Sequence, residues 1–142
     1  MPQQFEEAGL RFTFPDDWTI ERESDEDSLS LTLQGPGTAF MMISQDTSSP
    51  DPDEMLASSL EALEAEYEYM EVEERVDSFA ELPAFGHDVH FIVLDLPNTC
   101  CVRTFTTDNA TYMILWQATD TDMEQLEETF EGICQSIELI NN

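Results

Sequence analysis

The sequence predicts an α+β fold, an antiparallel sheet of about six to eight strands with two main helices, in a single domain over residues 1–142. Three observations carry this. Apolar and polar residues alternate through most of the chain, the period of a half-buried strand. Two stretches, one central and one C-terminal, switch to apolar spacings of four, three and four, the period of an amphipathic helix. The order is strands, helix, strands, helix, so most strands follow one another through short connections and pair antiparallel.

The strands begin at Leu10, Phe12 and Phe14, which share one face by period two, with Arg11 and Thr13 on the other. Pro15-Asp16-Asp17 supplies turn chemistry, and Trp18 and Ile20 open the return strand. Arg22 to Asp27 reads as a charged loop, and Leu29, Leu31 and Leu33 alternate again. Gly35-Pro36-Gly37 breaks the chain before Ala39 to Ile43, completing a meander of four short strands.

The first helix is announced by Asp51 as cap, Pro52 at the first helical position and Glu54 in the first turn. Leu56, Leu60, Leu63 and Tyr67 form its buried stripe. Val72 to Phe79 reads as a strand, Leu82-Pro83 to Gly86 as a turn, and His87 to Leu94 as a second strand. Pro97-Asn98 reads as the next turn, Cys100 to Thr106 and Thr111 to Ala118 as strands joined by a hairpin at Asp108-Asn109. Thr121 with Glu124 reads as a capping box for a helix that ends the chain, with Leu126, Phe130, Ile133 and Ile137 as its stripe.

The chain has 142 residues, long enough for a core that hides roughly 70% of the unfolded surface. Its net charge is −28, from 32 acidic residues against 4 basic ones. All the basic residues are arginines, Arg11, Arg22, Arg75 and Arg103. Nucleic acid and anionic membrane surfaces are excluded as natural ligands, because both draw on clustered cations. The absence of lysine removes the phosphate-loop lysine and Schiff-base chemistry. No leader or spanning segment is visible, and three cysteines do not make a secreted disulfide framework, so the expected compartment is the cytoplasm.

Catalytic and metal constellations are absent from the pattern. His87 and His90 lie three apart on a strand and point to opposite faces, so they do not share a ligand; a pocket using one of them remains the enzymatic or small-ligand alternative. Cys100, Cys101 and Cys134 read as buried free thiols, although one strand cysteine could face Cys134. Asp120, Asp122 and Glu124 fit a helix start better than a calcium loop, which needs a glycine and a later glutamate they lack. No catalytic residue, cofactor or metal site is therefore expected.

Several strands are apolar on both faces. Phe91 and Val93 oppose Ile92 and Leu94, Met113 and Leu115 oppose Ile114 and Trp116, and Phe40 and Met42 oppose Met41 and Ile43. Such strands are buried on both sides. Either one helix covers each face, or one face is covered by a partner. In the second case Trp18, Phe40, Met42 and Trp116 are the candidate contacts, and Phe91, Ile92, Leu115 and Trp116 are expected under cover in both.

The punctuation FTFPDDWTI, LPAFGHDVHFIVL, TYMILWQAT and FEGICQSIEL, in this order around two helices, resembles the PsbP-like superfamily. That superfamily includes the photosystem II extrinsic subunit P, a Ran-binding nuclear import factor and bacterial adaptor chaperones of secretion effectors. Asp16-Asp17 stands where the family often has a small residue and glycine. The resemblance implies that Phe14, Pro15 and Trp18 open the sheet, that Gly86 serves the central turn, and that Phe130, Ile133 and Ile137 pack the last helix. It also implies a non-enzymatic domain that binds another protein as an adaptor or chaperone, or self-associates as a homodimer, with a purely structural role as a further alternative.

Overall fold

The computed structural model describes residues 2–140. Ten strands and two helices follow in the order β1 (Gln3–Glu7), β2 (Leu10–Phe14), β3 (Thr19–Ser24), β4 (Ser28–Gln34), β5 (Phe40–Asp46), α1 (Pro52–Glu66), β6 (Met70–Phe79), β7 (Leu82–Val93), β8 (Leu96–Thr106), β9 (Thr111–Thr119), α2 (Asp120–Gln135) and β10 (Glu138–Leu139). A seven-stranded sheet runs β3-β4-β5-β9-β8-β7-β6, and a small sheet runs β1-β2-β10. Every pairing is antiparallel.

The two-sided apolar strands are explained by one helix on each face. Leu31, Leu33, Met41, Ile43, Tyr112 and Ile114 face one way, under the small sheet and Phe130, Ile133 and Cys134 of α2. Val89, Phe91, Cys100 and Val102 face the other way, under Leu56 of α1 with Leu60, Leu63 and Tyr67 at its margin. The register sorts them: Met41 pairs with Trp116 and Ile43 with Ile114 on the α2 side, while Met42 pairs with Leu115 on the α1 side. Phe91 is buried, and Leu115 and Trp116 are half-buried. Ile92 departs from the expectation and is exposed: its neighbour Phe91 is covered by Tyr67 at the end of α1, whereas Ile92 points to the opposite face.

Local chemistry sets the helix ends. Asp51 accepts the Asp53 amide proton at 2.9 Å, and Pro52 starts α1 as the pattern predicts. The second cap is Thr119 and not Thr121: its hydroxyl accepts from the Asp122 amide at 3.2 Å. Thr121 lies inside the first turn. This helix also does not end the chain. Ser136 closes it, accepting from the Thr13 amide at 2.9 Å and so pinning the helix end to β2. Ile137 is buried beyond the helix, and Glu138 and Leu139 then pair with Arg11 and Leu10.

Two turns lie elsewhere than the prolines indicate. The β6–β7 connection is Ala80-Glu81 and the β7–β8 connection Leu94-Asp95, two-residue turns with positive φ at all four residues (51°, 66°, 50° and 66°). Pro83 and Pro97 sit inside strands, opposite Ser78 and Ile92. Both are tolerated there because each lies beyond the last residue paired with the strand on its other side. Gly86 serves no turn. It lies mid-strand opposite Arg103, where an added Cβ would fall 1.7 Å from the Val102 carbonyl oxygen.

Candidate functional site

The α2 helix covers β9 and the small sheet but leaves a cleft of about 380 Å³ between itself and β6–β8. Its floor is organised by Arg103, only 3% exposed. Nε donates to Asp77 Oδ2 at 2.6 Å, Nη2 to Asp88 Oδ1 at 2.8 Å, and Nη1 to the His87 and Val102 carbonyls, both at 3.0 Å. The guanidinium also lies 5.2 Å from the Trp116 ring centroid, a cation–π contact. Burial pulls its protonation down, but the hydrogen bonds it donates to Asp77 and Asp88 outweigh this and hold it more firmly charged than usual.

Beside it, His90 Nδ1 is 3.0 Å from Thr99 Oγ1, and Nε2 is 3.3 Å from Glu73 Oε1. Alcohol, imidazole and carboxylate in line resemble a nucleophile triad. The hydrogen-bond polarity runs against that use, because Thr99 donates its only hydroxyl proton to Asp120 Oδ1 at 2.8 Å. His90 Nδ1 must then be the donor to Thr99, so the imidazole does not serve as base for this alcohol. Thr99 thus ties His90 of β7 to Asp120 at the start of α2, and in the protonated imidazole Nε2–H extends the chain to Glu73 of β6. His87 points to the other face, as its spacing requires, and its buried Nδ1 has no hydrogen-bond partner.

The cysteines are all free and buried. Cys101 and Cys134 line the cleft, while Cys100 belongs to the α1 cluster. Burial pushes the Cys100 and Cys134 thiols up to about 12, and raises Cys101 further, with Asp88 adding to it. Protonated thiols are poor nucleophiles and poor ligands. Among the described residues no cluster of three His, Cys, Asp or Glu side chains is placed to hold a metal ion.

Each arginine joins separate strands. Arg11 of β2 meets Glu138 of β10 at 2.6 Å and Glu6 of β1 at 3.6 Å. Arg22 of β3 grips both carboxylate oxygens of Glu7 on β1, the nearer contact being from Nη2 and the other 2.7 Å from Nε. Arg75 of β6 lies 3.5 Å from Asp88 of β7. With Arg103 likewise engaged, every arginine side chain sits beside a carboxylate.

The structure does not bring the four predicted contact residues together. Trp18 is 5% exposed, edge-on to Phe130 at 5.6 Å and close against Gly35. Trp116 is half-buried on the α2 face beneath Arg103. Phe40 and Met42 are half-buried on the opposite face, because they alternate with Met41, the residue that pairs with Trp116. Exposed large apolar side chains lie elsewhere. Tyr69, Val72, Val76, Phe85, Ile92, Leu94 and Leu96 all fall on β6, β7 and the start of β8 or their connections. Val76 pairs with Phe85 and Val72 with Val89, so Val72, Val76 and Phe85 share the face that α1 covers farther in. The signal was present as Val-Glu-Glu-Arg-Val, two valines at a spacing that shares a strand face.

These features define an antiparallel α+β sandwich of the PsbP-like fold. The same chain path is found in LpqN of Mycobacterium tuberculosis, involved in cell envelope biogenesis, at 15% identity and a TM-score of 0.63, covering 99% of this chain and 90% of that one. Cyanobacterial PsbP (CyanoP) of Synechocystis matches at 9% identity and a TM-score of 0.67, covering 97% and 92%. The Pseudomonas aeruginosa protein of unknown function PA94 matches at 16% identity and 0.55, covering 95% and 94%. At such identities the likeness is one of fold. No protein-family model and no curated protein matches the sequence.

Proposed function

We propose that this chain is a non-catalytic protein-binding domain of adaptor type, which engages its partner at the β6–β7–β8 end of the large sheet. One observation carries the reading: all the exposed large apolar side chains of the described residues fall between Tyr69 and Leu96, while the large apolar side chains of the other strands are at least half-buried, beneath the two helices and the small sheet. Val72, Val76 and Phe85, exposed together on one face of the sheet edge among acids, mark an interaction surface. The cleft beneath α2 is the place for a small-ligand alternative with His90. Its polar groups already satisfy one another, which favours the protein-binding reading. Three buried, unpaired thiols support placement in a reducing compartment such as the cytoplasm.

Photo-crosslinkers at Val76 and at Phe85, compared with one at Glu21 on the opposite sheet edge, test this in cells. A discrete product from the first two positions only, lost on Val72→Ser with Leu94→Ser, is the expected result. Equal products from all three positions would remove the reading.

A further inference from the structure

We propose that β6 is an acceptor edge, onto which the partner adds an extended segment of alternating basic and apolar residues as an eighth strand. This rests on the protein-binding reading and specifies the partner's chemistry.

Three features of β6 lead there. It is the terminal strand of the large sheet, and all ten residues from Met70 to Phe79 pair in register with β7, so its outer main-chain groups form a regular row with no strand against them. The other terminal strand, β3, is shorter and is tied down through Arg22 to Glu7 of β1. The side chains of β6 divide by face: Val72 and Val76 with Glu74 on the α1 side, and Glu71, Glu73, Arg75 and Asp77 on the cleft side. An added strand places its residues directly opposite these, where apolar pairs and opposite charges attract. The matching segment therefore carries Lys or Arg toward Glu71 and Glu73 and apolar side chains toward Val72 and Val76.

Charge also decides against a second copy of this chain. A β6–β6 pair about a two-fold axis normal to the sheet sets one residue opposite its own copy. In the middle of β6 that residue is Glu73, Glu74 or Arg75, so each such register sets like charge against like at its centre; the register centred on Glu74 also sets Glu73 opposite Arg75 twice, and there it is the net charge of −28 on each copy that opposes pairing. Acids along an exposed edge block self-pairing while leaving it open to a cationic strand.

The probe is a synthetic peptide of the length of β6 with alternating lysine and valine, titrated against the full chain with amide exchange read residue by residue. The expected result is slowed exchange at β6 and binding that weakens with salt. A Glu71→Gln/Glu73→Gln/Glu74→Gln variant should bind roughly tenfold more weakly. A peptide N-methylated at alternate residues, which keeps its charge but cannot form a ladder, should not bind. Equal binding of the methylated peptide, protection at β3 in place of β6, or no binding at millimolar peptide would each overturn the strand-addition proposal. If crosslinks from Val76 and Phe85 persist in that event, the protein-binding reading stands and only the acceptor edge is lost.

Discussion

Arg103 of β8 reaches Asp77 of β6 by passing over the strand between them, donating from Nε to Oδ2 at 2.6 Å. That middle strand presents Gly86 opposite Arg103 and Ala84 opposite Asp77. Small residues along the path leave room for the guanidinium to cross. With Asp88 of β7 held by Nη2 at 2.8 Å, one side chain fastens three strands.

Removing that guanidinium strands two carboxylates that it now compensates. Arg103→Met should lower stability by about 3 kcal/mol, since breaking a buried ion pair from one side leaves charge uncompensated. Arg103→Lys should recover little, because an ammonium cannot address Asp77, Asp88 and two carbonyls together. Adding Asp88→Asn to Arg103→Met should cost less than Asp88→Asn does alone. Urea midpoints of the four proteins measure this coupling.

The turn at Leu94-Asp95 holds two ordinary side chains at φ 50° and 66°, and Leu94 is 92% exposed, so no packing offsets the strain. Replacing the pair with Asn-Gly, which suits this turn, should raise stability by about 1 kcal/mol. The same substitution deletes an apolar side chain from the proposed interface. A higher melting temperature with fewer crosslinks from Phe85 is the expected combination.

The thiols make stability fall in alkali. Free thiols ionise near pH 9.0, whereas Cys100 and Cys134 in the folded chain are pushed up to about 12. Between those values the unfolded chain has lost protons that the folded chain keeps, so stability is complete below pH 9 and declines toward pH 12. Tyr67, raised above 10.0 first by burial, adds to the decline at its upper end. Denaturation midpoints across this range should drop steeply, and Cys134→Ala should flatten the slope. Native protein at neutral pH should leave a thiol reagent unreacted.

What the residues disclosed depended on how local their physics is. The start of α1 was readable because Asp51, Pro52 and Asp53 settle it among themselves. The hairpins at Ala80-Glu81 and Leu94-Asp95 are hidden because the first pair carries no turn chemistry and the second only one aspartate, whereas Pro83 and Pro97 lie close by as stronger turn signals. Strand β1 went unnoticed because Gln-Gln-Phe-Glu-Glu offers only Phe5 to a core, where it stacks on Phe12 at 5.1 Å. The candidate contact residues follow from strands that are apolar on both faces, yet strand parity sets Phe40 and Met42 on one face and Trp116 on the other. Arg103 carries no local signal of its role, because its carboxylate partners lie 15 and 26 residues away and no short pattern connects them.

The engagement of every arginine inside the scaffold has a colloidal consequence. Outward, the molecule behaves as a polyanion of one sign, and the dissolved electrolyte supplies the counter-ions that its own side chains do not. Its spacing from neighbours in a concentrated solution is then governed by that ion atmosphere, and multivalent cations such as spermine can draw copies together where monovalent salt only loosens their repulsion.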